Sequence, residues 1–172
     1  DLNDSGYITG TAENYIAWYY DPVLDKLIDV GYTNPYARSR DLVALNDANV
    51  MVGREDDPID GMGLTRYTET GGHEYLGRFG HGSARPIAIN NNNDVLLGLD
   101  GIGLEYGILS PDDELTMLPL GGDRVFDMND DRWVVSKDNN DDSILWTEEF
   151  GSITLNDITP EWFRENPDNY LY

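Results

Sequence analysis

Three arginines fall at one repeated place in this chain. Arg40, Arg85 and Arg124 each lie five or six residues before an asparagine, at Asn46, Asn90 and Asn129. A guanidinium is a planar fork of donors that fits an anion bidentately. If the repeats formed a ring, the three arginines would form one too and could hold an anion in a channel. The plainer role is pairing with nearby aspartates, and the abundance of carboxylates favours it. Aromatic residues recur as well, as Trp18, Tyr67, Tyr106 and Trp146. The C–H face of a sugar is apolar and its hydroxyls seek carboxylates, so aromatics beside aspartates suit a saccharide. Large aromatics in repeated strands more often pack between layers. Ligand contacts are therefore expected, if anywhere, at Arg40, Arg85, Arg124, Trp18, Tyr106 and Trp146.

Oxygen-rich loops are what a hard cation needs. The densest are Asn90–Asp94 and Asp138–Asp142, which makes Asp94, Asp138, Asp141 and Asp142 the candidate metal ligands and calcium the candidate cofactor. Neither loop has the EF-hand spacing, and ordinary hairpin turns are the favoured reading of both. His73 and His81 flank Glu74, but a zinc site wants three convergent ligands. Glycosidase chemistry needs two carboxylates at a fixed separation. With 33 acidic residues any pair could be nominated, so Glu105 or Glu148 carries no special weight. No Gly-x-Ser-x-Gly, phosphate loop or dinucleotide fingerprint occurs. No catalytic residue is nominated.

The elements that position these residues come from a repeat. Leu2-Asn3, Leu45-Asn46, Ile89-Asn90 and Met128-Asn129 each lead into a short apolar run, at spacings of 43, 44 and 39 residues. A period of that length marks a repeat architecture. Each repeat holds an apolar run after the Asn turn, such as Val50-Met51-Val52. An aromatic-rich run follows, such as Ala17-Trp18-Tyr19. A third run is Leu115-Thr116-Met117-Leu118 in its third copy, and a fourth, such as Arg40–Leu45, leads into the next turn. The runs are short, β-branched or aromatic, and bounded by Gly, Pro, Asn and Asp, so they read as strands. The fourth and first runs should form a hairpin across each Asn turn. The one expected helical turn is Thr159–Asn166, with Pro160 in a first helical position.

Four strands in about 40 residues suit a β-propeller blade. The expected fold is all-β, a propeller-like array of about four four-stranded repeats near residues 1–43, 44–87, 88–126 and 127–172, in a single domain. The first repeat has no fourth run before it, and Asn169–Tyr172 is the candidate closing strand. An incomplete larger propeller or an open array is the alternative.

Composition narrows the partners. The net charge is −22, with 23 Asp, 10 Glu and only two lysines, Lys26 and Lys137. Such a surface repels nucleic acid and anionic membranes and favours cations or basic partners. Abundant acid with little lysine also suits a salty or extracellular setting. Without cysteine, disulfides and thiolate chemistry are excluded. No apolar run approaches the ~20 residues that cross a bilayer. A chain beginning at Asp1 fits a processed protein or a piece of a longer one.

The pattern of apolar residue, Asn-Asp, a short gap, an apolar pair and Gly resembles the HAF-type repeats of bacterial extracellular proteins. Leu2–Gly10, Leu45–Gly53 and Ile89–Gly98 carry it, and Ala17-Trp18 and Leu27–Gly31 are similar to the family's next strands. Gly6 is the one copy of the family's turn glycine, and Ser136 replaces the closing Gly in the fourth copy. The resemblance implies export and a propeller-like fold, and it brings no defined activity. The expected protein is secreted or on the cell surface, with the periplasm as an alternative, and binds a protein or polysaccharide without catalysis. A carbohydrate-active hydrolase and a structural subunit of an extracellular assembly are the alternatives.

Overall fold

The computed structural model describes residues 1–13, 16–32, 36, 40–58, 61–79, 82–101, 104–120 and 124–158. They form fifteen strands and one short helix. The first sheet holds β1 (Ile8–Ala12), β2 (Ile16–Asp21) and β3 (Lys26–Asp29). The second runs β4 (Arg40–Leu45), β5 (Met51–Asp57), β6 (Gly61–Thr68) and β7 (Gly72–Gly77). The third runs β8 (Ser83–Ile89), β9 (Val95–Asp100), β10 (Leu104–Leu109) and β11 (Leu115–Leu118). The fourth runs β12 (Arg124–Met128), β13 (Val134–Lys137), β14 (Ser143–Thr147) and β15 (Gly151–Thr154). Helix α1 (Leu155–Ile158) is the short helical element near the C-terminus. The segments Thr159–Asn166 and Asn169–Tyr172 lie outside the described residues.

Every sheet is an antiparallel meander, and the all-β repeat array expected from the sequence is what forms. The hairpins across the Asn turns pair β4 with β5, β8 with β9 and β12 with β13. Each sheet thus begins one strand before its Asn turn. In the first sheet that leading strand shrinks to a single bridge, Leu2 to Ile8. It is the same rung as Leu45–Met51, Ile89–Val95 and Met128–Val134. A β-bulge recurs in each leading strand, between Leu42 and Ala44, Pro86 and Ala88, and Val125 and Asp127.

The sheets stack in chain order, first on second, second on third, third on fourth, chiefly through the leading strands. Among the described residues they do not close into a ring. Three apolar clusters fill the three junctions. Tyr19, Leu42 and Met51 lie between sheets one and two, Leu64, Leu97 and Leu109 between two and three, and Leu96, Val134 and Trp146 between three and four. Burial follows the stacking. Strand β9 is covered on both faces, and Val95 through Leu99 are all buried. Strand β13 belongs to an end sheet and alternates, with Val134 and Ser136 buried and Val135 exposed.

The Asn turns hold the stack together. In each, the Asn N–H donates to the carbonyl four residues on, and its own carbonyl accepts from the N–H three residues on. That third residue has positive φ in every copy: Gly6 82°, Asn49 60°, Asn93 66° and Arg132 59°. This is a type I turn followed by a left-handed residue, a common hairpin loop. The Asn side-chain oxygen accepts two further N–H groups of its own turn, at 2.8–3.1 Å. Its nitrogen reaches the next repeat. Asn3 Nδ2 donates to Asn46 O (2.9 Å) and Asn49 Oδ1 (2.7 Å). Asn46 Nδ2 donates to Asn90 O (2.9 Å) and Asn93 Oδ1 (2.8 Å). Asn90 Nδ2 donates to Asn129 O (3.3 Å) and to Asp94 Oδ2. A parallel row links Asp4 N–H to Asp47 Oδ1, Asp47 N–H to Asn91 Oδ1 and Asn91 N–H to Asp130 Oδ1. Asn3, Asn46 and Asn90 are buried, while Asn129, with no turn beyond it, is exposed.

Replacing Asn46 by Ala removes four hydrogen bonds of a buried side chain and strands the donors and acceptors around it. We expect a loss of about 2–4 kcal/mol in urea unfolding. Asn129→Ala removes only the bonds within its own turn and should cost about 1 kcal/mol. Equal losses at the two positions would show that the links between turns contribute nothing.

Candidate functional site

The leading strands of the third and fourth sheets leave a groove between them of about 370 Å³. Strand β8 supplies Arg85, Pro86 and Ile87, and β12 supplies Arg124, Val125 and Phe126, with Gly98 and Tyr106 also lining it. The bulge at the end of each leading strand sets Ile87 and Phe126 out of the regular register. Gly98 lies one residue past the place of Gly10, Gly53 and Ser136, which Leu97 holds in this repeat. Arg85 donates to Asp100 at 2.8 Å, with both side chains nearly half exposed. Arg124 is exposed and makes no ion pair among the described residues. The groove thus joins two cations to the exposed Phe126 ring, with Tyr106 buried at its floor, and among the described residues no carboxylate lines it.

Three of the six candidate ligand contacts, Arg85, Arg124 and Tyr106, therefore share one groove. The other three lie elsewhere. Arg40 is buried where sheets one and two meet, paired with Asp29 and stacked 3.8 Å over the Tyr32 ring. Trp146 lies in the core between sheets three and four. Trp18 is half-buried on the outward face of the first sheet, where its ring lies over Gly10; a Cβ there would stand 2.9 Å from Trp18 Cζ2. The four recurring aromatics do not hold one register position. Tyr67 and Trp146 face Met51 and Val134, the first rung of their hairpins, whereas Trp18 and Tyr106 face Gly10 and Gly98.

Three of the four candidate metal ligands, Asp94, Asp138 and Asp142, are engaged as hydrogen-bond acceptors. Asp94 takes Arg132 Nε and Nη2 at 3.0 and 2.6 Å as well as Asn90. Asp138 closes a fifth turn of the Asn type, accepting the N–H groups of Asn140 and Asp142. Those bonds, with that of Asn140 foremost, hold its carboxyl below the usual range. Asp142 accepts from Asn156, and Asp141 lies 3.6 Å from Lys137 Nζ. Among the described residues no three His, Asp or Glu side chains are grouped to hold a metal ion.

A second polar cluster escaped sequence reasoning. Glu55 is fully buried on β5, opposite Arg40 and 3.7 Å from His73 Nδ1. His73 also contacts the Gly31 carbonyl at 3.1 Å, and its edge meets Tyr67. Arg40 Nε and Nη1, Thr65 Oγ1 and His73 Nε2 are buried without a hydrogen-bond partner among the described residues. Nothing in the chain marks Glu55 among 33 acids. Its signal was only that β5 runs on past the apolar Met51-Val52 into Arg54–Asp57. His81 lies outside the described residues.

No protein-family model matches the chain, and no curated protein matches it.

Burial lowers the His73 pKa below its ordinary 6.5, against the opposing pull of Glu55. The unfolded chain then binds a proton near pH 6.5 that the folded chain refuses, so stability falls as pH drops below that value. His73→Gln should flatten the urea midpoint between pH 7 and about 5.5. An unchanged slope would remove His73 as its source. Because the turn carboxylates already have protein donors, a chelator should leave the melting temperature within about a degree, whereas loss of a bound metal would lower it further.

Proposed function

We propose that the protein is a non-catalytic binding module, secreted or on the cell surface, whose propeller-like stack presents a groove for a polysaccharide. The observation that carries this reading is the company Arg124 keeps. In a protein of net charge −22 it makes no ion pair among the described residues, and with Arg85 it lines a groove walled by the exposed Phe126 over the buried Tyr106. Arginine forks donate to sugar hydroxyls or carboxylates, and the exposed face of Phe126 suits the apolar C–H side of the ring. Hydrolysis would need two carboxylates flanking the scissile bond, and the described residues of the groove lining supply none. The acidic surface around the groove disfavours a nucleic acid strand.

A glycan array with the 172-residue protein tests the reading. The expected result is a set of related polymers whose affinity falls about 10–100-fold in Arg124→Ala, the cost of a hydrogen bond from a charged donor. Phe126→Ala should weaken binding too, with unfolding unchanged. No bound glycan, or full affinity in Arg124→Ala, would overturn it.

A further inference from the structure

The ladder of Asn turns has a direction, and its two ends are complementary. At every junction the side-chain nitrogen of one turn's Asn donates to the Asn carbonyl of the following turn. The N–H of the next residue donates to a side-chain oxygen there. At the fourth turn the series stops with its donors unused. Asn129 Nδ2 and the Asp130 N–H have no acceptor among the described residues. At the first turn it stops with its acceptors unused. Among the described residues Asn3 O accepts only from Gly6 N–H of its own turn, and the Asp4 carboxylate accepts from none.

The sheet faces beyond those turns are likewise unmatched. The outward face of the first sheet shows Ile8 and Leu27, 39% and 68% exposed. That of the fourth shows Trp133 and Val135, 46% and 37% exposed, around a hollow of about 330 Å³ that Leu145 also lines. Inside the molecule the positions equivalent to Ile8 and Val135 are the core residues Met51 and Leu96.

We infer that a second copy of this chain docks head to tail, with the first sheet of one copy on the fourth sheet of its partner. The contact repeats the junctions already built inside the molecule. Asn129 Nδ2 would take the place of Asn46 Nδ2, and Asp130 N–H that of Asp47 N–H. The two aspartates this brings side by side match Asp4 and Asp47, which already stand together. Because the joined surfaces differ, the contact is heterologous and leaves a free end on each copy. The net charge of −22 opposes it at low ionic strength. The inference stands apart from the groove, which lies between sheets three and four.

Sedimentation velocity over a range of protein concentrations decides it, in about 0.5 M salt, where charge repulsion is screened within a few ångströms. The expected result is concentration-dependent association that declines at low salt. Leu27→Glu spoils one face and Val135→Glu the other, and each variant alone should be monomeric with an unchanged circular dichroism spectrum. Mixed, they retain one good pair of faces and should form a dimer and nothing larger. Trp133→Asp serves as the second fourth-sheet variant should Val135→Glu unfold. A monomer under every condition, association surviving in either variant alone, or a mixture that stays monomeric would each overturn the inference.

Discussion

One side chain type does two jobs at each junction of this fold. The asparagine oxygen takes two N–H groups of its own hairpin turn, which fixes the turn. The amide nitrogen, on the same planar group, is then aimed at the next turn. Local geometry and long-range stacking are therefore set by one rigid amide. Aspartate could close the turn, as Asp138 does, but it carries no donor to pass on. That is the physical reason the three turns that pass a donor on, those of Asn3, Asn46 and Asn90, begin with Asn.

The stacking determines how each strand buries its residues. Sheets two and three have neighbours on both faces, so β9 takes an unbroken apolar run. The end sheets have one neighbour, and their strands alternate. The last junction differs in its polar chemistry. Its Asn link is the longest, at 3.3 Å, and Arg132 reinforces it by reaching back to the buried Asp94. Arg132 holds a left-handed conformation to do so, at a position where Gly6, Asn49 and Asn93 serve the other turns.

Much of this was legible in the sequence. The period, the strand runs and the hairpins across the Asn turns follow from residue type and spacing alone. The links between turns were not legible, because nothing in a string of Asn and Asp says which amide points at its own loop and which at a neighbour. The shared repeat position of Arg40, Arg85 and Arg124 suggested one environment for all three. They divide because Arg40 stands six residues before its Asn and the other two five, so Arg40 lies one rung further along, opposite Glu55, and on the other face of its sheet. Arg40 therefore turns toward the first sheet and meets Asp29 and Tyr32, while Arg85 and Arg124 line the groove between the third and fourth sheets. The aromatic series was misleading in a similar way. A shift of two or three residues along a strand is invisible in a loose alignment, yet it decides which rung a ring faces, and an odd shift decides which core it enters. Glu55 was hidden for a different reason, since burial of an acid depends on a histidine and an arginine brought in from other strands.

The single bridge from Leu2 to Ile8 bears on how the molecule assembles. Hairpin contacts join residues close in the chain, whereas every rung of the Asn ladder joins residues about one repeat apart and exists only once both turns have formed. A completed sheet therefore acts as the template on which its neighbour is ordered. The first sheet has three strands and one rung of a fourth. It is the poorest template in the stack and the one with fewest bonds to break. Order should spread from the middle sheets outward, and thermal fraying should run the other way, beginning at Leu2.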